Sequence, residues 1–330
     1  MQANIESLQP LFVSAEFDKA AAKIFGERVY RVEVAGLRHY MRADTGRTYK
    51  SLTTFLSGVM PRNKFLEGWR EQMTVDLGGT EKMKEWMDTV ADYGTALHIA
   101  VAEYCRNMGV DWLEFEAWAT DYLTGMNLKN GALGFAITEL TKDFASLIQF
   151  MYDYRVHVIA VEVPVFLEAG VATLIDLVVE MDAKNYDKTP VEKRERVKAI
   201  INLKSGKKGF FEEHLLQLVG ERRMFNHTFG PSVGYEIQEV YNLTPSDWKE
   251  KPTYKMQRQT EAIEKQELES QFSVFLELAK YRGILSEPSR KFPIFRGRTA
   301  YGENPVDALT ILTYNEFSAQ RIGESIISQQ

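Results

Sequence analysis

The sequence predicts a mixed α/β fold in which a central mixed β-sheet is flanked by helices, with a helical N-terminal region. Three observations predict it. Apolar residues recur at spacings of three, four and seven over most of residues 64–154. The period then falls to two in Val- and Ile-rich runs between residues 156 and 204. A further helical stretch and a further strand-like run follow before residue 245.

The elements follow in order. Arg28 to Val34 and Arg38 to Arg42 alternate on either side of Gly36 and predict a hairpin. Ser51 to Leu56 carries Ser and Thr residues that can cap a short helix. Lys64 to Gly125 is helical, with Trp69, Met73, Met83, Trp86, Met87, Val90, Leu97, Val101 and Tyr104 setting the period. Ala132 to Tyr154 is a second amphipathic stretch, with Phe135, Leu140, Phe144, Leu147, Ile148 and Met151 on its apolar side. Val156 to Phe166 and Ala172 to Met181 read as two strands, antiparallel because only a short turn at Glu168-Ala169-Gly170 joins them. Asp182 to Glu195 is polar and loop-like, Val197 to Lys204 is a third strand, Phe211 to His227 a helix, and Tyr235 to Leu243 a fourth strand. A helix over Met256 to Tyr281 follows, and Pro288, Pro293 and Pro305 break up the remainder.

At roughly 150 residues per domain, 330 residues correspond to two units or to one core with long insertions. The pattern divides the chain into a hairpin and helical embellishment (1–90), a core (91–245) and a helical and irregular extension packed on the core (246–330). A hydrophobic fraction of 45% and a charged fraction of 26% exclude disorder. Forty Lys and Arg against 46 Asp and Glu exclude a uniformly basic nucleic-acid coat but leave room for a local basic groove. The single cysteine, Cys105, excludes an intramolecular disulfide, a zinc knuckle and a four-cysteine iron–sulfur cluster. With no secretory leader at the start and no apolar run near the ~18 residues a span needs, a cytoplasmic protein without a membrane partner is expected.

Four places carry chemistry. Asp176 interrupts an apolar strand, where an ionised carboxylate must be paired, hydrogen-bonded or bound to a cation. Asn202 and Lys204 are two apart on the third strand and share a face. His98 lies among apolar neighbours on a helix, with Glu103 five residues on, and Gln217 follows on the helix after the third strand. Each has an ordinary structural reading: a core ion pair, a lysine snorkelling at a strand end, a satisfied core histidine, an exposed glutamine. Between Lys184 and Lys208, nine basic residues face three acidic ones, a local excess suited to phosphates or to a solvated loop.

Jointly, these pieces resemble the PD-(D/E)xK nuclease superfamily, in particular its RecB-type and phage exonuclease branch. The matching motifs are Gly94 to His98, Gly170 with Asp176, Asn202-Leu203-Lys204 and Gln217, in the family's order. The resemblance implies a restriction-endonuclease-like core and a metal-dependent, phage-encoded DNA exonuclease that hydrolyses phosphodiester bonds with Mg²⁺ or Mn²⁺. It implies catalytic roles for Asp176, Asn202, Lys204 and Gln217, and a metal shell of His98, Asp176, Asn202 and the Leu203 carbonyl. Glu162 and Glu103 stand as accessory acids, and Lys193, Arg194, Arg196, Lys198, Lys207 and Lys208 as DNA contacts. DNA, single- or double-stranded and engaged at its ends, is the partner implied, with recombination or replication proteins beside it in the host cytoplasm.

Two positions depart from the pattern. The motif acid is Asn202, and the aromatic position four after the glutamine is Glu221. Three readings of Asn202 stay open: a degenerate nuclease, an active variant using another carboxylate such as Glu162, and an Asp-to-Asn change that traps an inactive enzyme. The alternative to an enzyme is a catalytically inactive DNA-binding or partner-binding protein that kept the fold.

Overall fold

The computed structural model describes residues 5–8, 11–12, 29–34, 37–42, 47–61, 64–107, 109–125, 130–183, 189–206, 212–234 and 236–285. The tail prolines, Lys207 and Lys208 lie outside the described residues. The strands are β1 (Ile5–Leu8), β2 (Leu11–Phe12), β3 (Val29–Val34), β4 (Leu37–Arg42), β5 (Thr48–Ser51), β6 (His157–Leu167), β7 (Val171–Asp182), β8 (Arg196–Leu203), β9 (Glu239–Pro245) and β10 (Tyr254–Arg258). The helices are α1 (Leu52–Val59), α2 (Lys64–Leu77), α3 (Thr80–Asn107), α4 (Trp112–Thr124), α5 (Asn130–Asp153), α6 (Glu212–Thr228), α7 (Gly230–Val233), α8 (Thr260–Lys265) and α9 (Leu268–Tyr281). None is long and apolar enough to cross a membrane.

Among the described residues, all ten strands join one mixed sheet. The expected hairpin forms as β3 and β4, antiparallel from Val29–Arg42 to Val34–Leu37. The β6–β7 pair is antiparallel, as the short turn requires, while β5–β7 and β8–β9 are parallel. On one face, α1, α6, α8 and α9 pack Phe55, Phe225, Ile263 and Phe272 against Ile175, Ile200 and Val240. On the other, α3, α4 and α5 pack Leu97, Trp118, Phe144 and Phe150 against Leu177, Ile201 and Tyr241. A sheet with apolar side chains on both faces needs a helical layer on each, which accounts for the near-continuous hydrophobic reading of β6 to β8.

β7 organises the middle of this sheet. One edge pairs with β6. On the other edge, β5 takes Val171 and Ala172, and β8 takes Leu177 to Asp182. Thr173 to Asp176 fall in the fork between them.

The structure differs from the expected elements in several places. Met256 belongs to β10, so the expected helix over Met256 to Tyr281 is two helices, broken where Glu267 takes a left-handed φ of 51°. β10 alternates half-buried and exposed residues as an edge strand does, over five residues too few to stand out from the helical pattern that follows. Met87, Val90 and Phe135, expected on apolar helix faces, are exposed. Near Met87 and Val90, α2 and the first half of α3 lean on one another through Trp69 and Trp86, whose ring centroids are 6.0 Å apart.

The far end of β7 carries an ion cluster. Asp182, fully buried, accepts from Arg155 at 2.6 and 2.8 Å, from Arg194 at 3.1 Å and from Arg196 at 3.2 Å. Burial opposes its charge, but the three guanidinium groups outweigh that and hold the carboxyl below its usual range. Its stabilisation is therefore present above the ordinary carboxylate pKa and lost as pH falls through the lowered one. Asp182→Ala is expected to cost roughly 3 kcal/mol, the low end for a broken buried pair because Arg155 and Arg196 remain partly exposed. Urea melts at pH 7 and at pH 3 check this, with the difference between the two proteins shrinking in acid.

Candidate functional site

The site grows out of the fork. Leu177–Ile201 is the last β7–β8 register pair on that side, so beyond it Leu203 has lost its ladder partner on β7. Its N–H donates instead to Asp176 Oδ2 at 2.7 Å. The next residue stays with β9, Lys204 N donating to the Leu243 carbonyl at 2.8 Å. One carboxylate thus closes the gap where two strands part, and its other oxygen faces His98.

Across β6, Glu162 lies opposite Asp176 between the pairs Val161–Leu177 and Val163–Ile175. Its φ is 52°, which costs a non-glycine residue of order 1 kcal/mol or more and is held by its surroundings. Val161 and Leu177 belong to one core and Val163 and Ile175 to the other, so the acidic pair marks where both strands change packing partners. His98 arrives from α3. Its Nδ1 lies 3.4 Å from Glu162 Oε1 and 3.5 Å from Asp176 Oδ1. The helix comes this close because Gly94, one turn earlier, has Ser205 Oγ 3.1 Å from where a Cβ would stand.

His98, Glu162 and Asp176 each offer a ligand atom, all within 4.8 Å of one another. Two carboxylate oxygens and an imidazole nitrogen suit a hard or borderline divalent cation. Burial opposes charge on His98, but Asp176 and Glu162 outweigh it and lift its pKa to about 9. Burial pushes Asp176 up, with Glu162 adding to the rise, while His98, Lys204 and the Leu203 N–H pull it down.

A second group meets the first from α6. Lys204 Nζ donates to Gln217 Oε1 at 3.1 Å, and Gln217 Nε2 donates to Glu221 Oε1 at 2.7 Å. Asn202 Nδ2 donates to Glu221 Oε1 at 3.0 Å and Oε2 at 3.3 Å. Asn202 is 1% exposed and Glu221 0%. Burial and the charge of Asp176 raise Glu221 to about 8. Asn202 Oδ1 is buried with no hydrogen-bond partner among the described residues. His214, a turn before Gln217, stays neutral, its pKa pushed down to about 4 by burial and by Lys204.

The chain matches no protein-family model and no curated protein.

Of the residues singled out in the sequence, His98, Glu162 and Asp176 come together, and Asn202, Lys204 and Gln217 are linked beside them through Glu221. Glu103 instead lines a separate cleft with Tyr104, Val110, Phe115 and Trp118. Arg194 and Arg196 are engaged with Asp182, and Lys198 pairs in register with Glu180. Lys193 ends a short 3₁₀ turn, Val191–Lys193. Arg196 sits opposite Asp182, which six residues of strand carry about 20 Å from Asp176. Glu221 is the member that sequence reasoning treated only as a departure. Its signal was its spacing: four residues after Gln217 on a helix, it shares Gln217's face.

Both His98 and Glu221 have pKa values above those of the unfolded chain, about 6.5 and about 4.3. Each therefore stabilises the fold fully below its unfolded value and loses that contribution as pH rises through about 9 and about 8 respectively. The metal-free protein is expected to lose stability steadily between about pH 4.3 and about pH 9, through Glu221 first and His98 after it. Glu221→Gln should flatten the lower part of that slope, which denaturant melts at fixed ionic strength measure directly.

Proposed function

We propose that this protein is a divalent-metal-dependent deoxyribonuclease with a restriction-endonuclease-like core, acting at DNA ends. The observation that carries the reading is the convergence of His98, Glu162 and Asp176 within 4.8 Å, at the strand fork next to Lys204. Sequence order alone did not require that meeting. Phosphodiester hydrolysis needs a nucleophilic water near neutral pH and relief of charge on the phosphorane. A bound Mg²⁺ or Mn²⁺ supplies both. The donor set fits such an ion, and the orphaned Asn202 Oδ1 is the kind of buried acceptor that a cation or its water satisfies.

In this reading Asp176 and Glu162 hold the cation, and His98 completes the protein's share of the shell. The Leu203 N–H fixes the Asp176 carboxylate so that its second oxygen faces the site. Lys204, held by Gln217, places a positive charge where negative charge grows on the phosphate. The basic run at Lys193 to Lys198 is less suited to first-line phosphate contact, because Arg194 and Arg196 spend their donors on Asp182. Part of the DNA path is instead expected nearer Lys204.

Two measurements test the reading. Mn²⁺ titrated into the protein at pH 7 should bind with release of about one proton, because His98 must be neutral to ligate, and Asp176→Ala should abolish the heat. With linear duplex DNA and Mn²⁺, Asp176→Ala and Lys204→Ala should each lower the cleavage rate by 10²-fold or more, Lys204→Ala with little change in melting temperature and Asp176→Ala with a measurable drop, because the Leu203 N–H loses its acceptor. Cleavage that persists in chelator, or that Asp176→Ala leaves intact, rules the function out.

A further inference from the structure

We infer that Asn202 and Glu221 are a matched pair: the carboxylate that a strand position would supply stands on the facing helix, and Glu221 is a positioning residue that orients Asn202. This rests on the reading of Asn202 as part of the site, and it closes two of the three accounts of that residue. Asn202 is neither decay nor a trap. It is the side chain that a buried Glu221 requires.

The geometry carries this. Glu221 is fully buried and accepts only N–H donors, two from Asn202 and one from Gln217. A short amide donates to Glu221 through its nitrogen and keeps a separate oxygen for another partner. With Nδ2 committed to the helix, Oδ1 points elsewhere, where it is buried and unpartnered. The same helix turn holds Lys204 through Gln217, so the two side chains that share a face of β8 are both set by α6. Aspartate at 202 has no N–H to offer. It would set two carboxyl groups 3.0–3.3 Å apart in the place of the Asn202–Glu221 bonds, where one shared proton must stand in for two N–H donors.

The inference reverses the simplest expectation from the motif, that an acid restored at position 202 repairs the site. The test is a two-position cycle on the full chain: Asn202→Asp, Glu221→Gln and the combined variant, each followed by thermal melt, Mn²⁺ binding and cleavage of linear DNA. Asn202→Asp alone should lose about 5 °C or more of melting temperature and gain neither metal affinity nor cleavage rate. The combined variant restores a donor–acceptor pair, with the helix amide now donating to the strand carboxylate. It should recover at least half of the lost stability and bind Mn²⁺ more tightly than Asn202→Asp alone. If Asn202→Asp does not fold, recovery of a folded, Mn²⁺-binding combined variant carries the same conclusion. An Asn202→Asp protein as stable as the wild type that binds Mn²⁺ about tenfold more tightly would overturn the pairing. So would a combined variant no better than the sum of the single changes. Should no variant and no wild type cut DNA, the nuclease reading fails, while the coupling in melting temperature still decides the pairing.

Discussion

A buried strand must have its backbone groups satisfied on both edges, and β7 meets that demand with two different partners on one of them. β5 serves its first residues and β8 its last, and the strands on either side of the fork cannot both continue. What fills the fork is Asp176, whose carboxylate takes the N–H that the departing β8 leaves exposed. The rest of the polar architecture follows from that substitution. A charge is brought inside the protein to replace a ladder bond, and it then needs His98 on one side and Lys204 on the other to be tolerated.

The second requirement is that the helices come close enough to serve this charge. Gly94 lets α3 approach Ser205 at the end of the sheet, and Gly220 does the same for α6. A Cβ on Gly220 would stand 2.8 Å from Leu52 Cδ1 and 3.1 Å from Phe272 Cε2. Gly220 lies between Gln217 and Glu221, so the turn that carries the polar pair is also the turn wedged against α1 and α9. Position along the helix is thereby fixed by apolar packing, and the hydrogen bonds to Asn202 and Lys204 inherit their geometry from it.

Much of this was legible in the sequence, and the limits have identifiable causes. The hairpin β3–β4, the pair β6–β7, β8 and the helices α5 and α6 follow from period and turn chemistry, because their buried faces are long and unbroken. The short strands β5 and β10 were hidden, since four or five residues with Lys and Thr or Gln among them carry too little pattern to outvote their neighbours. Asp176 stood out as an acid in an apolar strand, but the role of Glu162 depends on a left-handed backbone that no spacing announces. Charge counting over Lys184 to Lys208 registered Arg194 and Arg196 as available cations. It did not see that Asp182, ending the preceding strand, would claim both.

The fork has a consequence for when the cluster can form. Its contacts join distant parts of the chain: His98 and Glu162 are 64 residues apart, Asp176 and Leu203 27, and Asn202 and Glu221 19. Contacts of that range form only after the intervening loops have closed, and their entropy must be lost first. The acidic cluster is therefore complete only once these distant segments have met and α6 is seated on Leu52. A chain locally opened at α6 loses the partners of Asn202 and Lys204 together, so the polar groups around the fork are assembled by the same packing that completes the core.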